Sequence, residues 1–157
     1  MPGETEGCDG YIIFEGLDSA ELARAHGWIA EHSYWAAGIP IEVFLKAARH
    51  SLMFGVRHPA EGLVAVARVV SDRATFAWLC DVFVDPAHRG CGLAGRLVKA
   101  VQAHPDLTAL RRMLLATKDA HTLYAQHGFQ PLASPARWME IHDPDVYRRS
   151  SFCFDAR

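Results

Sequence analysis

A chain of 157 residues with 50% hydrophobic, 22% charged and 10% aromatic residues has the length and composition of one compact domain, which excludes disordered and collagen-like chains. Sixteen Lys and Arg against eighteen Asp and Glu leave a formal net charge of -2, which offers no electrostatic footprint for a polyanion and sets nucleic acid aside as a partner. The longest apolar stretches, 63–70 and 75–80, are parted by Ser71-Asp72-Arg73 and fall short of the roughly 20 residues of a membrane-spanning helix, so no membrane partner is expected.

The chain opens Met1-Pro2-Gly3-Glu4-Thr5-Glu6, acidic where a secretory leader is basic and then apolar, and this predicts a cytoplasmic protein with a flexible N-terminus over 1–9. Tyr11-Ile12-Ile13-Phe14 reads as a strand. Asp18, with Glu21 three residues on, predicts a capped helix that carries Leu22, Ala25 and Ile29 on one face to about Ser33. A second helix restarts at Pro40, whose missing N–H is harmless in a first turn, and Ile41, Phe44, Leu45 and Ala48 form its buried stripe. Three strands follow over 52–56, 63–70 and 75–84, and their short connections imply an antiparallel meander.

Leu93, Leu97, Val98 and Val101 mark a third helix that ends near His104-Pro105, and 112–117 is a further strand. With a helix between them, the 75–84 and 112–117 strands can pair in parallel as a βαβ unit. A short helix over 119–127 closes at Gly128, and 129–132 and 138–141 supply two final strands. The fold class is therefore mixed α/β, one domain over 10–147 with about six to seven mostly antiparallel strands, a parallel pair and about four helices, then a tail over 148–157. Edge strands at the C-terminal end offer a homodimer contact. Cys8, Cys80, Cys91 and Cys153 lie far apart with no Cys-x-x-Cys pair, and the nine histidines are scattered, so neither a metal site nor a disulfide framework is signalled.

The chemistry concentrates after Val84. Gly90, Gly92 and Gly95 sit where a strand hands over to a helix, so exposed backbone N–H groups and the positive end of the helix dipole favour phosphate there, with Arg89 adding charge at the rim. A tight turn with an incidental Arg is the plainer alternative. Gly90-Cys91-Gly92-Leu93-Ala94-Gly95 also spells the dinucleotide fingerprint, but Asp85-Pro86-Ala87-His88-Arg89 separates it from its strand and too few βα units follow. The Lys-Ser/Thr ending of a phosphate-binding nucleotide loop is missing as well.

Val84-Asp85-Pro86-Ala87-His88-Arg89-Gly90-Cys91-Gly92-Leu93-Ala94 resembles the Arg/Gln-x-x-Gly-x-Gly/Ala signature of the GNAT family of N-acetyltransferases, and Tyr124-Ala125-Gln126-His127-Gly128-Phe129 resembles its Tyr-x-x-x-Gly-Phe element. The element order is similar to that fold over nearly the whole chain. The resemblance implies acetyl-CoA as co-substrate and direct attack by a primary amine, from a small molecule or a protein, in a ternary complex without a metal. Arg89, Gly90, Cys91, Gly92, Leu93, Ala94 and Gly95 would then hold the pyrophosphate. A bulged, splayed strand would offer the backbone of Val82, Phe83 and Val84 to pantetheine and the acetyl oxygen.

The same resemblance makes Tyr124 the proton donor to the departing thiolate, against a core-packing role, and it places Thr117 at the cofactor cleft or at the cap of the next helix. Asp81, inside the apolar run 78–84, is either the base that takes the amine proton or half of an ion pair with Arg68. Tyr34 and Trp35, in the loop that borders the acceptor site in relatives, either cradle a cationic amine or pack the loop. A non-catalytic acyl-CoA sensor or interaction module on the same fold is the competing reading.

Overall fold

The chain runs β1 (Ile12–Glu15), α1 (Ser19–His32), α2 (Ile41–Arg49), β2 (Leu52–His58), β3 (Gly62–Ser71), β4 (Phe76–Val84), α3 (Leu93–Ala103), β5 (Arg112–Leu114) and α4 (His121–Ala125) in a computed structural model that describes residues 10–149. The expected flexible N-terminus, 1–9, and all but the first two residues of the expected tail, 148–157, lie outside the described residues.

Local chemistry starts α1 and α2 close to where the sequence indicates. The Asp18 carboxylate accepts the Glu21 N–H at 2.9 Å while the Glu21 carboxylate accepts the Asp18 N–H at 3.0 Å, a reciprocal capping box. Glu21 also accepts the Arg57 guanidinium of β2 at 2.5 Å, which ties the start of α1 to the sheet and is the main reason its pKa lies below the ordinary glutamate range. Pro40 precedes the first turn of α2, and Phe44 and Ala48 are buried beneath it.

The five strands lie in chain order, antiparallel from β1 to β4, with β5 parallel to β4 after the α3 crossover. Both faces of the sheet are covered, which explains the almost unbroken apolar run of β3. On one face Leu52, Phe54, Val69, Ala77 and Leu79 pack with Leu93, Leu97, Val98 and Val101 of α3. On the other, Met53, Leu63, Val66 and Phe83 pack with Ala25, Trp28 and Ile29 of α1 and Phe44 of α2.

One irregularity decides where the site falls. Val66 pairs with Phe83 and Arg68 with Cys80, so Ala67 alone faces both Asp81 and Val82, a β-bulge on β4. Asp81 takes the left-handed conformation at φ 50°. The extra residue shifts the phase of the strand: Ala77 and Leu79 point into the α3 core, whereas Phe83 points into the α1–α2 core and stacks on Trp28 at 5.6 Å.

The α/β class and the four α-helices agree with the sequence reading, but the strand count is five rather than six to seven. β5 stops at Leu114, and neither 129–132 nor 138–141 joins the sheet. Pro131 and Pro135 carry no N–H for a ladder, and Pro135–Arg137 closes a single 3-10 turn in place of strand pairing. Phe129 instead meets the Tyr124 ring edge-on at 5.8 Å, Trp138 lies against the Arg112 guanidinium at 4.8 Å, and Met139 and Ile141 stand in solvent.

Candidate active site

The turn expected to take a pyrophosphate is built from unsatisfied backbone. β4 ends at Val84, the Asp85 carboxylate accepts the Ala87 N–H at 3.0 Å to start the 3-10 turn Pro86–His88, and α3 then begins at Leu93. Gly90 and Gly92 hold φ of 88° and 69°, a region costly to any residue with a Cβ, and nothing crowds the space where their Cβ atoms would stand. No side chain caps the start of α3, so the first N–H groups of that helix stay open to an anion. Gly95 serves packing instead: a Cβ there would meet His127 Nε2 at 3.3 Å, which sets α3 close against the end of α4. Arg89 is exposed, donates from Nε to the Val84 carbonyl at 3.1 Å and spreads its guanidinium 5.6 Å from the Phe83 ring.

His88, just before the turn, is buried. It bonds the Tyr11 hydroxyl at 2.7 Å through Nδ1 and the Glu61 carboxylate at 2.5 Å through Nε2, so it braces the turn against β1 and the β2–β3 hairpin.

Beyond the turn the sheet divides. β4 and β5 pair only over Phe76–Trp78 and Arg112–Leu114. From Leu79 onward β4 has no strand on that side, so the backbone of Val82, Phe83 and Val84 is laddered to β3 alone, at Val66 and Ala65. The mouth of this fork holds Asp81 on one lip and Thr117 and Lys118 on the other. The Asp81 side chain is only 8% exposed, and both its oxygens are engaged: Trp35 Nε1 donates to Oδ1 and Arg68 Nε to Oδ2, each at 2.7 Å. Arg68 also donates to the Ser51 hydroxyl at 3.1 Å. Burial opposes the Arg68 charge, yet Cys80 and Asp81 beside it leave its pKa raised. Of the two sequence readings of Asp81, the ion pair with Arg68 is formed.

Across the fork the Tyr34 hydroxyl accepts the Lys118 N–H at 2.9 Å, and the Lys118 ammonium stands 5.6 Å from the Tyr34 ring. Thr117 caps the approach to α4, its hydroxyl accepting the Ala120 N–H at 3.0 Å. Tyr124 is 9% exposed, and burial, helped by Tyr34 and Asp119, raises its pKa, so the phenol keeps its proton at neutral pH. Among the described residues no hydrogen bond engages its hydroxyl. Burial pushes the Cys80 thiol up to about 12, and Cys91 is disulfide-bonded against the sequence expectation, so neither offers a thiolate; the backbone N–H of Cys91 is untouched by that bond.

An open cleft of about 1140 Å³ runs along the outer edge of β5, where the two missing strands were expected. It takes in Thr117 and Tyr124 but none of 89–95, Asp81, Tyr34 or Trp35, and the site is defined better by the fork than by this hollow. One contributor escaped the sequence reading. Tyr147, in the 3-10 turn Val146–Arg148, packs onto the α1–α2 core beside Asp81 and Arg68, and neither spacing nor motif announces it.

The comparisons with known proteins agree with this fold. Residues 49–131 match the family model for the acetyltransferase (GNAT) domain. A GNAT-family acetyltransferase structure from Xanthomonas campestris pv. campestris is similar with 44% identity and a TM-score of 0.81, over 88% of this chain and 98% of that one. A Clostridium acetobutylicum acetyltransferase crystallised with acetyl-CoA shares the fold at 12% identity and a TM-score of 0.61, over 85% and 96% of the two chains. A Gibberella zeae protein described as an acetyltransferase is 28% identical over 116 residues, so the chain spans 63% of that protein's length and 60% of its own. With a domain match over more than half of its length and a near full-length relative at this identity, the chain belongs to the GNAT family of acetyltransferases.

Proposed function

We propose that the protein is an acetyl-CoA-dependent N-acetyltransferase that moves the acetyl group to a primary amine by direct attack in a ternary complex. The observation that carries this reading is the uncapped start of α3, with Gly90 and Gly92 keeping the approach clear, directly after a strand that has parted from β5. The Clostridium relative, crystallised with acetyl-CoA, supports the same ligand here.

Acetyl-CoA, when bound, supplies an activated acetyl carbonyl and a thiolate leaving group. The turn 89–95 would hold the diphosphate through its N–H groups, with Arg89 at the rim. The unladdered edge of β4 at Val82, Phe83 and Val84 would supply hydrogen bonds to pantetheine and to the carbonyl oxygen, and Thr117 would border the same slot. Tyr124, protonated and without a hydrogen bond from the described residues, is the group suited to give its proton to the departing sulfur and to regain one from solvent. The amine proton leaves to water or to Asp81. Tyr34 and Trp35 border the acceptor side, 57% and 43% exposed.

Calorimetry with acetyl-CoA tests the first step, and release of free thiol across polyamines, amino acids, aminoglycosides and peptides with a free N-terminus or Lys tests the second. Heat of association plus thiol release and an acetylated product of the expected mass is the result that stands. Association without thiol release for any amine would make the protein an acyl-CoA sensor, and no association at all would remove the enzymatic reading.

A further inference from the structure

The geometry points to Asp81 as a positioning residue rather than the proton acceptor: with Arg68 it clamps the Trp35 indole, so that the Tyr34-Trp35 pair straps the two lips of the fork together on the acceptor side. This rests on the acetyltransferase reading and deepens it.

The strap is visible in three contacts. Trp35 reaches β4 through its bond to Asp81, three residues beyond the last β4–β5 pairing at Trp78. Tyr34, its neighbour in sequence, reaches the other lip through its bond from Lys118, four residues beyond Leu114. The two rings meet edge-on at 5.0 Å and nearly perpendicular, so each anchor braces the other. The α1–α2 loop thus crosses the opening at the level where the thioester end would lie, and the exposed parts of the two aromatics form the surface an amine meets. The Lys118 ammonium lies 5.6 Å from the Tyr34 ring, so a cationic acceptor meets less competition at Trp35.

The same contacts argue against proton transfer to Asp81. Each carboxylate oxygen already accepts a short charge-assisted or indole N–H bond. A proton arriving there would leave the Arg68 guanidinium, itself 15% exposed, without its counter-charge. Asp81 also sits on the bulge at a positive φ, a conformation that persists only when neighbours hold it, and Arg68 and Trp35 are those neighbours. Arg68 carries the restraint on through Ser51, whose hydroxyl donates to the Ala47 carbonyl at the end of α2, so the pair is tied to that helix as well. The amine proton then goes to water, and the product is the amide plus the free thiol.

The test uses the whole chain and two readouts. In ¹⁵N-labelled ligand-free protein, Asp81→Asn should shift the Trp35 indole N–H signal and speed its exchange with solvent while those of Trp78 and Trp138 stay in place; an unmoved Trp35 signal overturns the clamp. In thiol release with the fastest amine of the panel, Trp35→Phe, which leaves the Asp81–Arg68 pair intact, should raise the amine KM on the order of ten-fold with kcat within a few-fold. Asp81→Asn should do the same, and the double variant should be no worse than the worse single. A kcat loss on the order of a hundred-fold or more in Asp81→Asn with Trp35→Phe near the parent would make Asp81 the proton acceptor and overturn the inference. Failure of the acetyltransferase reading would show separately, as absence of acetyl-CoA association in the parent protein.

Discussion

The turn at 89–95 and the fork mouth at Asp81 reach their chemistry by opposite routes. The turn leaves backbone donors unsatisfied and keeps side chains away, with glycine removing both strain and bulk. The fork mouth buries a charged pair, satisfies both carboxylate oxygens and holds a non-glycine residue at positive φ. A group meant to grip a ligand has to be left free, whereas a group meant to set the shape of a site has to be spent on its neighbours. In the proposed mechanism Tyr124 groups with the turn in this respect, and Asp81 with the scaffold.

The difference breaks first at Tyr124. Tyr124→Phe removes only a hydroxyl that has no hydrogen bond from the described residues, so acetyl-CoA affinity by calorimetry should hold while kcat falls about 10²- to 10⁴-fold; unchanged turnover would return Tyr124 to core packing. Two arginines give the next contrast. Arg68→Met leaves Asp81 as an unpaired buried charge and should cost about 3–5 kcal/mol of stability in denaturant unfolding. Arg89→Met, at an exposed position, should stay within about 0.5 kcal/mol and show its effect in acetyl-CoA affinity instead.

Gly92→Ala sharpens the same division on a smaller scale. The space is open but the backbone is left-handed, so about 1–2 kcal/mol of strain should appear as lower stability in denaturant unfolding, and as weaker acetyl-CoA binding to the extent that the turn relaxes out of that conformation, with the Trp35 indole signal unmoved. The smallest effect concerns acid. Glu21 has its pKa lowered in the folded state, chiefly by Arg57, so its contribution is present above the unfolded glutamate pKa and is lost as pH falls through the folded value. Glu21→Gln should lower Tm slightly at pH 7 and flatten the acid side of the stability profile; an unchanged profile would show that the Arg57 contact is idle.

What could be read from the chain follows from the range of the forces involved. The Asp18–Glu21 box, the α2 stripe and the strand-to-helix turn after Val84 depend on residues a few positions apart, and each stands where local chemistry put it. The parallel β4–β5 pair followed from one crossover rule. The bulge had no such signature, because it takes a strand partner, Ala67, to make Asp81 and Val82 count as one. Tyr147 beside Asp81 and Tyr34 against Lys118 are long-range meetings that no periodicity encodes. The strands expected over 129–132 and 138–141 failed on turn chemistry: Pro131 and Pro135 outweigh the apolar alternation around them. For the site, the glycine turn and Tyr124 were legible as motifs. The partners of Asp81 were legible only as a choice between two readings.

The bulge also makes the length of β4 a matter of counting. Leu79 answers to one core and Phe83 to the other, and the single supernumerary position between them is what allows both. Flattening the bulge with every residue kept would restore strict alternation and turn Phe83 from Trp28 toward α3, while Val82 and Val84 would swing to the opposite side. The segment therefore has one residue to lose at Asp81 without changing which core Phe83 faces, and such a deletion should be felt through the lost Asp81 contacts rather than through the phase of the strand.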